Sequence, residues 1–179
     1  ILLLLGGFLL SKALEKTGTH RRLALLMVSL VGASSGRRLV FGFMVASAML
    51  SMWISNTATT LMLLPVVLAV LEKADQRLVV PLLLGLAYSA SIGGMGTPIG
   101  TPPNLVFMDV YKQHTGADVS FATWVGWALP VVVVLVPLTA LWLTRKLKDV
   151  PGVALDIEAK WTIAQRRVLV IFGLTALAW

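Results

Sequence analysis

Between Arg38 and Glu72 the chain runs for thirty-three residues without a charged side chain, and a polar cluster, Ser55-Asn56-Thr57 followed by Thr59-Thr60, sits near the centre of the run. A single helix of that length would extend roughly 50 Å, well past the roughly 30 Å hydrocarbon core of a bilayer, and two full crossings need about 20 residues each plus a turn. A hairpin that enters and leaves on one side fits. Counted from Leu39, the cluster follows 16 residues, about 24 Å of helix, so with tilted arms its tip stops inside the bilayer. Polar side chains and open backbone at that depth need protein or water around them. The stretch therefore reads as a re-entrant helical hairpin with a polar tip.

Composition agrees with a membrane setting: 58% of residues are hydrophobic and 13% charged, and the mean hydropathy is +0.88. Such values belong to an all-α polytopic membrane protein. The net charge of +7 does not point to nucleic acid, because the basic residues sit in short groups at the ends of apolar stretches. Without cysteine there are no disulfides or thiolate metal sites. Ile1 to Ser11 and Val168 to Trp179 are each too short to span, so the sequence reads as cut from a longer protein at both ends. The first run lacks a basic leader and a cleavage site, and is not read as a signal peptide.

Charge placement tests the hairpin. If 39–71 turns back, Arg37-Arg38 and the 72–77 segment share a side, Leu78 to Met108 crosses to the 109–120 loop, and Phe121 to Thr144 returns to Arg145, Lys146 and Lys148. Nearly all basic residues then collect on one face, as the positive-inside rule requires; a single crossing would put Arg37-Arg38 and 145–148 on opposite sides. This places 12–38, 72–77 and 145–167 in the cytoplasm and 109–120 outside a multi-pass inner (plasma) membrane protein. Trp124 and Trp127 near one end of the later span and Trp142 near the other fit interfacial aromatic belts or packing inside a bundle equally well. Leu23 to Val31 is too short to cross and is flanked by basic residues, which suggests an interfacial helix, with a short buried helix as the alternative. Asp149 to Arg167, broken at Pro151-Gly152, reads as a second interfacial segment. His114 is expected to be solvated and Asp109 to end a span. The organisation is thus a scaffold-helix end and interfacial arm over 1–38, a hairpin (39–71) and broken helix (78–113) within 39–120, and a span, interfacial segment and next helix over 121–179.

The second polar stretch is Ser89 to Asn104, where Gly93, Gly94, Gly96 and Gly100 alternate with Pro98, Pro102 and Pro103. Four glycines and three prolines cannot continue a regular helix. The helix should break near Gly96 to Pro103 and resume toward Met108 with Pro102-Pro103 in its first turn. In a bilayer, such a discontinuous helix is tolerated where it lines a cavity. Singly, the Ser-Asn-Thr cluster could be hydrogen-bonding glue between helices, and Gly96 with Gly100 a close-packing pair. A polar tip and an interrupted helix in the same short stretch point together to a ligand site.

Neither 39–71 nor 78–108 contains Lys, Arg, His, Asp or Glu. The site offers hydroxyls, an amide and broken-helix backbone: opposed helix N-termini suit carboxylates, and carbonyl, Ser, Thr or Asn oxygens suit a hard cation such as Na⁺. Proton coupling has no titratable carrier here, and without Arg an anion needs co-bound cations.

Ser55-Asn56-Thr57 within a charge-free hairpin, followed by Gly96-Thr97-Pro98-Ile99-Gly100-Thr101-Pro102-Pro103-Asn104, resembles the divalent anion/sodium symporter family of dicarboxylate and citrate carriers, over essentially the whole chain. The resemblance implies a homodimer with a scaffold and a moving transport domain working as an elevator. It implies that Asn56, Thr57, Thr101 and Pro102 contact a substrate carboxylate, and that Ser51, Ser55, Asn56 and Gly100 supply oxygens to a sodium ion. The family has a second, inverted half with its own Ser-Asn-Thr hairpin, and this chain carries one such motif; Thr101 also stands where some members have Ser. The expectation is an N-terminal half of a sodium-coupled symporter of C4-dicarboxylates such as succinate, and not an enzyme. A sodium-independent di- or tricarboxylate exchanger, a channel with a re-entrant pore loop and a structural subunit are the alternatives.

Overall fold

The computed structural model describes Gly6, Leu9 and residues 12–32, 34–153 and 161–178. Its helices are α1 (Thr19–Val31), α2 (Gly36–Ser51), α3 (Asn56–Leu71), a 3-10 turn (Gln76–Leu78), α4 (Val79–Gly94), α5 (Pro102–Thr115), α6 (Phe121–Thr144) and α7 (Ile163–Ala178). The described residues contain no β-strand and are all-α; Ser35 and Pro151 form an isolated antiparallel bridge. Gln76–Gly94, 19 residues, and Phe121–Thr144, 24 residues, are long and apolar enough to cross a membrane.

Several helix ends have a local cause. Ser35, Ser55 and Ser120 cap α2, α3 and α6 by accepting from Arg38, Ala58 and Thr123 N–H, satisfying first-turn donors that have no intrahelical partner. Pro102 and Pro103 occupy the first turn of α5, where a missing N–H costs nothing. Gly116, at φ +71°, ends it.

Contacts along the helices give their directions. A side chain on Gly36 would meet Leu78, one on Gly85 would meet Met44 and Val40, and one on Gly93 would meet Ala48, while the Ser47 hydroxyl donates to Leu86 O at 3.1 Å. The two sets of numbers rise together, so α2 and α4 run parallel. Helix α3 must therefore return: it leaves the tip at Asn56 and leads, within a few residues, to Leu78 against Gly36. Residues 36–71 form a helical hairpin with both ends at one end of the bundle, here the base. Phe43, Met44, Leu63, Leu82 and Leu86 are fully buried between these helices.

Helix α6 runs the opposite way to α2. Trp124 Nε1 donates to Met95 O at 2.9 Å near the tip, and Arg37 donates from Nε to Thr144 O and from Nη2 to Arg145 O, both at 3.1 Å, at the base. The chain then folds under the base, where Gly36 N donates to Val150 O at 2.8 Å and Leu147 and Val150 are buried.

The structure adds detail to the sequence reading in several places. Leu23 to Val31 belongs to α1, which packs on α2 through Ala24 and Val28, with Val28 Cα 3.0 Å from where a Gly42 Cβ would stand, and leaves Leu30 exposed on its other face. Helix α2 starts at Gly36 and takes Arg37-Arg38 into its first turn. The helix after the break runs to Thr115, two residues beyond the expected 113 and past Asp109. Helix α7 starts at Ile163, before Arg166 and Arg167, not at Val168. Of the expected second interfacial segment, 154–160 lie outside the described residues, as does most of the 1–11 run.

Candidate functional site

Helix α2 stops at Ser51 and the turn over Met52 to Ser55 is tight: Met52 N bonds Ala48 O at 3.2 Å, and Trp53 N and Ile54 N both bond Leu50 O at 3.0 Å. Ser51 is fully buried, and its hydroxyl donates to Asn56 Oδ1 at 2.7 Å across the turn. That bond orients the carboxamide at the start of α3. Thr60 donates to Asn56 O at 2.9 Å and Thr59 to Ile54 O at 3.4 Å, a back-bonding habit that removes hydroxyls from competition.

The interruption between α4 and α5 closes on this tip because three glycines leave no side chain in the way. A Cβ on Gly93 would lie 2.2 Å from Ala48 O, one on Gly94 2.1 Å from Asn56 Oδ1, and one on Gly100 2.5 Å from Gly94 O. Neighbouring side chains then satisfy carbonyls that the helix end orphans. The buried Thr97 hydroxyl donates to Met52 O, tying the turn to the hairpin tip. The buried Asn104 amide donates to Gly94 O and Thr97 O, both at 2.8 Å, and Trp124 serves Met95 O.

Because buried backbone groups need partners, the ones that lack them are informative. Within the interruption, Gly93 O, Gly94 O, Met95 O, Thr97 O and Thr101 O each accept a hydrogen bond. The carbonyls of Gly96, Pro98, Ile99 and Gly100 accept none from the described residues. Gly100, the last of these residues, packs on Gly94, which abuts Asn56. It is an oxygen-rich, charge-free setting of the kind a hard monovalent cation favours.

The sequence-derived residues divide accordingly. Ser51 and Asn56 are in direct contact, and Gly100 reaches Asn56 through Gly94. Ser55 is exposed and commits its hydroxyl to capping α3. Thr57 is exposed and Thr101 partly exposed; neither hydroxyl is hydrogen-bonded among the described residues. Pro102 is exposed at the first position of α5. Helix α5 offers fewer amides than an opposed helix end was expected to offer, because Pro102 and Pro103 have no N–H and Asn104 N bonds Thr101 O at 3.1 Å. On that side an anion would meet the Thr101 hydroxyl and the helix dipole.

Sequence reasoning gave Gly94, Thr97 and Asn104 no role of their own, and read Trp124 only as part of an aromatic belt or of bundle packing. Thr97 and Asn104 lie inside the quoted glycine- and proline-rich motif, but their role depends on which carbonyls the fold orphans. Among the described residues no group of three or more His, Cys, Asp or Glu side chains could hold a metal.

The profile of a family described as citrate transporter matches residues 1–179. The chain is 37% identical, over 202 aligned positions, to a protein named sodium-dependent dicarboxylate transporter SdcS from Staphylococcus aureus strain USA300, and equally to the protein of that name from strain NCTC 8325. The match covers 100% of this chain and 39% of each relative. The chain therefore spans about two fifths of the length of these relatives.

Proposed function

The chain belongs to the citrate transporter family, and from that premise we propose that it is part of a sodium-coupled symporter that carries C4-dicarboxylates such as succinate across the plasma membrane. The observation that carries this reading is the closure of an uncharged, glycine-lined interruption on the polar tip of a helical hairpin. Asn56 stands against Gly94, and the carbonyls of Pro98, Ile99 and Gly100 are left uncommitted.

In this reading sodium is a co-substrate bound by Ser51, Ser55, Asn56 and Gly100 through oxygen atoms, and its charge offsets that of the arriving carboxylate. Asn56 and Thr57 meet the carboxylate from the hairpin, and Thr101 and Pro102 from the start of α5. The residues present fit the pair, since the tip holds neutral oxygens and no competing charge. The 39–71 hairpin is re-entrant, with its base, 12–38 and 145–167 in the cytoplasm and 109–120 outside. The hairpin and broken helix, within 39–120, move as transport-domain elements in an elevator cycle, flanked by the 1–38 arm and the 121–179 helices, and the full-length protein works as a homodimer. The relatives' printed name, sodium-dependent dicarboxylate transporter, supports the choice of ion and substrate.

The deciding experiment is uptake of labelled succinate by the full-length protein in proteoliposomes, with and without an inward sodium gradient. Uptake that ignores sodium would defeat the coupling. A second reading is exchange of di- or tricarboxylates without sodium, of which the family's description as citrate transporter supports the tricarboxylate substrate alone; counterflow of citrate without sodium would establish it.

A further inference from the structure

Asn104 is buried, belongs to the first turn of α5, and reaches back across the interruption to both its beginning and its middle. Both partners, Gly94 O and Thr97 O, are carbonyl acceptors at 2.8 Å. Only an NH₂ group can serve two such acceptors, so the orientation of the carboxamide follows from its surroundings. The side chain closes 94–104 into a loop, and the four uncommitted carbonyls lie within that loop.

We propose that Asn104 is a positioning residue: it touches neither ion nor carboxylate, but holds the 95–101 turn in the shape that turns the Gly100 carbonyl toward the Asn56 end of the site. Its first consequence is for sodium, because a carbonyl ligand contributes only when its dipole points at the ion; of the four carboxylate contacts proposed above, Asn56 and Thr57 belong to the hairpin and Pro102 to α5, and bound sodium restores the turn that carries Thr101. This consequence rests on the sodium-coupled reading above; the positioning itself rests on the hydrogen bonds.

The test uses the full-length protein in proteoliposomes and in detergent. Asn104→Asp keeps the shape but turns a donorless carboxylate on two carbonyls, and Asn104→Leu keeps the size without polarity. In both, the sodium concentration for half-maximal uptake should rise about tenfold, the loss expected when a group that orients a ligand is removed, while the succinate KM at saturating sodium stays within about twofold. Without sodium, amide hydrogen exchange over 95–101 should quicken about tenfold, with 56–71 unchanged. Unchanged exchange would overturn the proposal. So would an equal rise in both half-saturation constants, which removes the selective effect on sodium, or the loss of folded protein in both variants, which assigns Asn104 to stability alone. Quickened exchange together with sodium-independent uptake by the unsubstituted protein would leave the positioning standing and remove the coupling instead.

Discussion

The two ends of this bundle solve the same problem, closing a turn between helices, with opposite chemistry. At the base the turns are charged: Asp75 pairs with Arg77 at 2.7 Å, and Arg37 covers the last carbonyls of α6. At the tip no charge is used. Ser51, Thr97, Asn104 and Trp124 donate as neutral groups, and glycines let backbone approach backbone. Charged contacts at a wet surface are screened and individually weak, whereas neutral hydrogen bonds in a low-dielectric interior are costly to leave unmade. The tip should therefore be the intolerant end and the base the forgiving one.

The largest effect that would sharpen this contrast is steric. Gly93→Ala puts a methyl group 2.2 Å from the Ala48 carbonyl oxygen; backbone on backbone cannot yield as a flexible side chain can. A loss at or above about 3 kcal/mol is expected, the upper range for overpacking, read as thermal denaturation in detergent. Leu141→Ala on α6, where Leu141 is 66% exposed, should stay within about 0.5 kcal/mol. Equal losses would erase the distinction between a packed tip and a bare helix face. Next comes Asn56→Ala, expected to lower succinate uptake by roughly 100-fold, the scale on which losing a ligating group acts. The folded yield should be retained, since Asn56 is only partly buried.

Both interruptions of the helices were legible in the residues. Ser55-Asn56 marks a cap and a restart in any setting, and Gly93 to Pro103 cannot continue a helix, so each signal is local. The return of the hairpin was legible from an uncharged length that suits neither one crossing nor two. What depends on tertiary approach was not. The packing of α1 on α2 rests on Val28 meeting Gly42, and nothing in Leu23 to Val31 announces it. Helix α2 absorbs Arg37-Arg38 because Ser35 caps it and the Arg37 guanidinium finds α6 carbonyls, so a charge pair read as a flank became a first turn. The roles of Thr97 and Asn104 required knowing which carbonyls lose their partners, which only the closed loop reveals.

Two smaller substitutions probe one hydrogen bond at each end. Thr97→Val preserves shape and deletes the donor to Met52 O; with Met52 half-buried, a loss of about 1 kcal/mol, the low end for a carbonyl left unpaired, is expected as a shift in melting temperature. Arg37→Gln removes the charge from the C-terminus of α6, a loss of about 1 kcal/mol or less, and that loss should shrink further as salt is raised. A larger, salt-insensitive loss at Arg37 than at Thr97 would invert the comparison.

The smallest effect is the titration of Asp75. The Arg77 guanidinium, and then the Arg77 backbone N–H, hold its carboxyl down from 3.8 to about 2. A folded-state value below the ordinary one means that the contribution of the pair is complete above about pH 4 and is lost as pH falls toward about 2. The pair lies at the surface, with Arg77 exposed and Asp75 half-buried, so the loss should appear as local fraying of Gln76–Leu78 rather than as global unfolding. A carbon NMR titration of the Asp75 carboxyl should give a midpoint near 2; a midpoint near 4 would mean that the pair does not form in solution. Asp75→Asn should abolish the acid response at the base. Because the tip has no titratable residue of its own, the Asn104 side-chain amide signals should not move over the same range. If they follow Asp75, the base is coupled to the site along α4, and the two ends are not independent.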